Sequence, residues 1–185
     1  EDGMLPRSST VDYGTVCLIK KYVNEVISSA NLLQHFSAKI EGEALELYQE
    51  ACGLVNKIKD EAFNLISTKL KQKETISEYD VQQYIMQRFA ECNMVTDSEP
   101  IVAVNNHAGD PHYAPSKNKY AYIKSGDLVL IDLWAKINHP LGVFGDITWI
   151  GYVGDVIPTE IQKIFDIVKE SIEVTLNFLN EELPK

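Results

Sequence analysis

Two aspartates stand inside the two most strand-like runs of this chain, and that placement restricts its fold more than any other feature. Leu128-Val129-Leu130-Ile131-Asp132-Leu133-Trp134 is apolar except at Asp132, and the run from Val143 to Val153 carries Asp146 between Gly145 and Ile147. Aspartate is depleted in strands, so two such interruptions call for a reason. Gly126-Asp127 punctuates before the first run and Asn138-His139-Pro140-Leu141-Gly142 separates the two, which makes an antiparallel hairpin. Side chains on one face of paired strands approach within roughly 5 Å. Two carboxylates facing the same way would repel each other and lose hydration. A divalent cation held by both is one remedy, since hard oxygen ligands suit Mg, Mn, Co or Zn. The other arrangement leaves one Asp in solvent and lets the second pair with a lysine or cap a turn. Spacing alone leaves both open.

The flanks of the hairpin are helical. From Glu41 onward, Ala51, Leu54, Val55, Ile58, Ala62, Leu65 and Ile66 recur at steps of three and four, so they share one face. Thr75-Ile76-Ser77-Glu78 reads as a capping box, followed by a stripe of Val81, Tyr84, Ile85 and Phe89. Both helices are expected to cover a sheet. Ile101 to Val104 is a short buried-strand run, and Asn105 to Asn118 is rich in turn formers. A last helix is expected from Thr159, with Thr159-x-x-Gln162 as its capping box and Ile161, Ile164, Phe165, Val168, Ile172 and Leu176 as its apolar side. Before residue 41 the signals are weaker. Ser9-x-x-Asp12 caps a helix bearing Val16, Ile19 and Val23; Glu25 to Ser28 is strand-like; Ser29 caps a short helix through Leu32, Leu33 and Phe36.

Composition excludes several classes. Net charge is −10 with no Lys/Arg cluster, a field that repels a phosphate backbone, so no nucleic-acid partner is expected. No run approaches the roughly 18 apolar residues of a membrane span, so no membrane partner is expected either. Cys17, Cys52 and Cys92 form no metal-type pair. They read as reduced, mostly buried thiols of a cytoplasmic protein.

Three ordered motifs then make the sequence recognisable. They are Asn105-Asn106-His107-Ala108-Gly109-Asp110-Pro111-His112-Tyr113-Ala114-Pro115, Gly126-Asp127-Leu128-Val129-Leu130-Ile131-Asp132-Leu133, and Gly145-Asp146-Ile147-Thr148. Together they resemble the histidine loop, the "GD-x-V-L-x-D" strand and the "D-I-T" strand of the pita-bread metallopeptidases (creatinase, aminopeptidase P and prolidase). The resemblance covers about residues 41–185 and implies an α+β fold: half of a pita-bread domain, an antiparallel curved sheet covered on one face by helices. It implies that residues 1–40 are the C-terminal end of an N-terminal α/β domain with its linker, and 41–185 the first half of the catalytic domain.

Residue by residue, the resemblance implies that Asp132 and Asp146 are metal ligands, the second bridging two ions. It implies that His112 is the catalytic histidine beside the scissile bond. In the complete enzyme, two divalent metal ions, manganese ahead of cobalt or zinc, would activate a water and polarise the substrate carbonyl. The implied substrate is a peptide losing its N-terminal residue, often from before proline. Trp149 stands where many relatives have Arg, and the fourteen-residue interval between the aspartates implies a longer hairpin with His139 at its tip. The family also needs a further histidine and two glutamates, and no matching motif follows residue 158. The chain by itself is therefore expected to be inactive. It is expected to associate, as a homo-oligomer or with a complementing C-terminal half.

A non-catalytic pita-bread module that binds peptides or proteins is the rival reading; survival of both aspartates argues against it. His107 reads as a loop residue, with lining of the substrate cleft as the alternative. Trp134 and Trp149 read as strand packing, and Glu41, Glu43, Glu46 and Glu50 as a solvated helix face or linker.

Overall fold

The computed structural model describes residues 11–183. In chain order these form α1 (Tyr13–Ile19), α2 (Ala30–Ser37), α3 (Glu43–Lys71), α4 (Glu78–Glu91), β1 (Met94–Val95), β2 (Ile101–Val104), a 3-10 turn (Asn105–Gly109), β3 (Leu128–Ile137), β4 (Gly145–Tyr152) and α5 (Thr159–Glu182). The sheet is antiparallel throughout. β4 runs along one edge of β3, while β2 and then β1 occupy successive stretches of the other.

Strict alternation along β3 decides which face builds the molecule. Val129, Ile131, Leu133, Ala135 and Ile137 are buried, and the residues between them are half-buried. A strand alternates its side chains at period two, so one face of the sheet is core and the other is open. α3 and α4 cover the core face. The stripe read from the sequence is the one used: Ala51, Val55, Ile58, Ala62 and Ile66 of α3 and Val81, Ile85 and Phe89 of α4 are all buried. Glu43 and Glu46 in the first turn of α3, and Lys69 and Lys71 in its last, suit the helix dipole. Arg88 of α4 binds Glu61 of α3 through Nε at 2.8 Å and joins the two helices.

Gly145 shows how close the layers lie. A Cβ built there would stand 2.8 Å from the Cys52 amide nitrogen and 3.0 Å from the Ala51 carbonyl carbon, so α3 rests its backbone on the start of β4. Opposite that contact the chain enters the strand carrying Asp146.

Several sequence expectations are corrected. The cap of α4 is Ser77 with Asp80, not Thr75 with Glu78: the Ser77 hydroxyl accepts from the Asp80 amide at 3.1 Å, and Asp80 accepts from the Ser77 amide at 2.9 Å. α5 begins behind Pro158 without a side-chain cap, because Gln162 instead donates to Asp166 one turn on. Glu25 to Ser28 is irregular rather than a strand, and among the described residues no strand pairs with it. Asp12 does cap α1, accepting from the Thr15 amide at 2.9 Å, whereas Ser9 lies outside the described residues. Cys17 is exposed and Cys52 and Cys92 are half-buried, since α1 buries none of its residues and the other two sit at the margins of the helical stripes. α5 also buries none of its residues, leaving Ile164, Phe165, Val168, Ile172 and Leu176 on the surface.

Candidate metal centre

The hairpin register sets the candidate site. Asp132 lies opposite Thr148, and Asp146 lies opposite Trp134. The two aspartates are therefore diagonal neighbours, offset by two residues rather than directly facing. An even offset keeps the face, because only an odd slip would turn one side chain to the other side of the sheet. Both carboxylates consequently share the open face, away from the α3–α4 core. Burial agrees, since Asp132 is half-buried between the fully buried Ile131 and Leu133, and Asp146 is exposed beside the buried Gly145.

Proximity is visible in the electrostatics. Asp146 is held above the ordinary carboxyl range, first by loss of hydration and then by the negative charge of Asp132. Asp132 itself is oriented by its cross-strand neighbour: the Thr148 hydroxyl donates to Asp132 Oδ1 at 2.7 Å. The Trp134 indole, in register with Asp146, donates from Nε1 to Asp97 Oδ1 at 2.7 Å. That bond holds Asp97 below its usual range. Trp134 is thus a fixed wall beside Asp146 as well as strand packing. Trp149 points to the helix side, where the nearly buried Lys59 ammonium lies 4.2 Å from its ring centre.

His112 lies between the 3-10 turn and β3. It is exposed, and its amide donates to Asp110 Oδ1 at 2.9 Å. No hydrogen bond joins its imidazole to either aspartate among the described residues. Asn105 fixes the start of this loop. At φ 51° it adopts the left-handed conformation that Asn tolerates, donates to Asp127 Oδ1 at 2.8 Å and accepts from the Leu128 amide at 2.9 Å. His107 turns inward to the buried Glu78 at 2.8 Å instead of lying free in the loop. His139, in the connection after β3, accepts from the Leu141 amide at 3.3 Å.

The arrangement can offer a cation two carboxylates from one sheet face, one of them positioned by a hydroxyl. That donor set suits a hard divalent ion. Its number is short of a complete site: among the described residues, no group of three or more His, Cys, Asp or Glu side chains stands together as a metal site. The chain matches the family described as metallopeptidase family M24 over residues 46–182. It belongs to that family.

Its fold is half of the M24 pita-bread fold. The crystal structure of prolidase from Thermococcus sibiricus superposes with a TM-score of 0.61 at 22% identity, covering 90% of this chain and 43% of that one. Prolidase from Pyrococcus furiosus gives a TM-score of 0.53 at 24% identity, covering 88% of this chain and 45% of that one. X-prolyl aminopeptidase from Caenorhabditis elegans, described as a cytosolic enzyme with a di-nuclear active site, gives 0.59 at 20% identity over 70% of this chain and 21% of that one. The chain therefore spans less than half the length of these relatives. No curated protein matches the sequence. No described helix is long and apolar enough to cross a membrane.

Sequence reasoning singled out Asp132, Asp146 and His112 but missed three supporting groups. Thr148 was within reach, because the residue opposite Asp132 follows once the hairpin register is known. Asp97 had no local signal, lying on the irregular segment between β1 and β2. Glu78 was hidden by its place in a capping-box pattern.

Proposed function

We propose that this chain is the first half of the catalytic domain of a cytoplasmic metal-dependent aminopeptidase that removes N-terminal residues from peptides, including those preceding proline. Residues 1–40 are then the end of a preceding domain. The observation that carries the reading is the shared sheet face of Asp132 and Asp146, with the exposed Asp146 carboxyl raised by partial loss of hydration and by its neighbour's charge. Two acidic groups kept together at an electrostatic penalty are what a cation site requires and what a structural sheet avoids. In the complete enzyme these carboxylates would hold two divalent ions, whose contribution is Lewis-acid activation of water and carbonyl. Asp132 and Asp146 bind, Thr148 orients Asp132, and His112 meets the substrate at the peptide nitrogen.

The test is Asp146→Asn in the full-length protein. Activity on an Xaa-Pro peptide should fall by at least ~100-fold, with loss of stoichiometric metal, because a ligand matters at least as much as the groups that orient it. Without metal, the variant should melt no lower than wild type, since the substitution removes a repulsion. Wild-type turnover or metal content in the variant would sink the assignment. The rival, a peptide-binding scaffold without chemistry, draws on the short donor count among the described residues. Metal analysis of the full-length protein separates the two, the scaffold carrying none.

A further inference from the structure

Glu78 is wholly buried, and the cap of α4 does not use its side chain. Four donors converge on its carboxylate. Oε1 accepts from the Val104 amide at 2.7 Å and lies 2.8 Å from His107 Nδ1; Oε2 accepts from the Tyr113 hydroxyl at 2.5 Å and from the Ala121 amide at 2.6 Å. The Glu78 amide also donates to the Ala121 carbonyl at 3.0 Å. An ionised carboxylate only accepts, and toward that form His107 donates from Nδ1. The His107 and Tyr113 rings reach it side by side, stacked with centres 4.3 Å apart.

The position of these donors along the chain is informative. Val104 ends β2, Ala121 lies shortly before β3, and His107 and Tyr113 fall between. One side chain therefore grips the connecting loop at both ends and at two interior points. Inside the loop the regular structure among the described residues is a 3-10 turn and the Ser116–Lys119 bridge, and at its far end Tyr122 bridges Ser77. A segment with so little backbone ladder keeps its shape through side-chain ties. His112 sits immediately before Tyr113, inside the gripped stretch, and among the described residues its imidazole has no hydrogen-bond partner.

We infer that Glu78 is the positioning residue of the histidine loop: it holds the backbone on both sides of His112, so that an exposed imidazole is presented in one place. This rests on the reading of His112 as the substrate-side group. A burial role alone would be served by any satisfied polar group, but the geometry here is specific to an acceptor. In Glu78→Gln one oxygen becomes an NH2 donor facing two donors, and that half of the grip is lost.

The experiment is hydrogen exchange and peptidase kinetics on the full-length protein. Glu78→Gln should speed exchange of amides in 105–121 by about tenfold or more while leaving β3 and β4 unchanged. Its kcat/KM should fall by about 10- to 100-fold with metal content intact. In a His112→Ala background the same substitution should cause no further loss, because both changes disable one group; additive losses overturn the proposal. Should Glu78→Gln fail to fold, Tyr113→Phe removes a single donor, and the same loop must exchange faster in smaller measure. Unchanged exchange in 105–121 overturns the inference in either variant. If the wild-type protein hydrolyses no peptide, the peptidase reading fails, and the exchange measurement still decides whether Glu78 holds the loop.

Discussion

Two glycine-to-alanine substitutions should move stability in opposite directions, and the reason is where each glycine stands relative to α3. At Gly145 a methyl group would meet backbone: Cys52 N at 2.8 Å, with Ala51 C and Cys52 Cα at 3.0 Å. Those atoms belong to the middle of a 29-residue helix and cannot swing aside as a side chain can. Relief requires shifting α3 against the sheet or bending the start of β4. Overpacking of this kind typically destabilises by about 1–3 kcal/mol. For a domain of this size each kcal/mol moves the melting temperature by about 2–4 °C, so Gly145→Ala should melt about 2–12 °C lower.

Gly53 lies one residue beyond Cys52 on the same helix, but a Cβ there has nothing within 4 Å. Alanine in a helix interior is favoured over glycine by about 0.5–1 kcal/mol, so Gly53→Ala should melt slightly higher. The assay is thermal unfolding by circular dichroism of both variants beside wild type. Gly145→Ala melting at or above wild type would refute the backbone contact between α3 and β4. Because Gly145 precedes Asp146, the variant should also weaken divalent-metal binding in the full-length protein.

Asp97 is held below its usual 3.8 by the Trp134 indole hydrogen bond, so the fold gains from its ionised form above that value and loses the gain as pH falls through the lowered one. In a Trp149→Phe, Asp146→Asn background, which removes the second indole and the raised carboxyl paired with Trp134, Trp134 fluorescence should stay constant from neutral pH down to about 4 and change below it, and Asp97→Asn should abolish that change. Thr148→Val keeps the shape of the side chain but removes the hydroxyl 2.7 Å from Asp132 Oδ1. Metal affinity of the full-length protein should fall by about 10- to 100-fold, as for other groups that orient a ligand; an unchanged affinity would show that Asp132 needs no such support.

Much of the fold was readable because burial leaves a period in the sequence. The stripes on α3 and α4 and the run at β3 each bury one face, and periods of 3.6 and 2 survive translation into a string of letters. β1 is two residues long and pairs only with Ile137 and Lys136, too short for any period to show. The cap of α4 was misassigned because Thr75-Ile76-Ser77-Glu78 and Ser77-x-x-Asp80 satisfy the same pattern, and only the burial of Glu78 decides between them. The irregular residues 25–28 show the opposite failure: β-branched composition without a partner strand does not make a strand. Lys59 carried no sequence signal for its place: it is buried, with its ammonium over Trp149 and 2.8 Å from Asn56 Oδ1.

The two faces of one sheet divide the work. Residues that determine the fold are odd-numbered on β3 and look toward α3 and α4, while Asp132 and Trp134 are even-numbered and look away. A substitution on the open face can therefore change chemistry with little effect on the core, which is why the aspartates stand among apolar neighbours without disrupting them. The histidine loop has no such separation. Its anchor, Glu78, is inside the core, so the same carboxylate that completes the packing of α4 also sets the loop. Stability and positioning are coupled at Glu78 and uncoupled at Asp146. Loss of Asp146 should leave a well-folded protein without its metal, whereas loss of Glu78 should loosen the loop even where every metal ligand is intact.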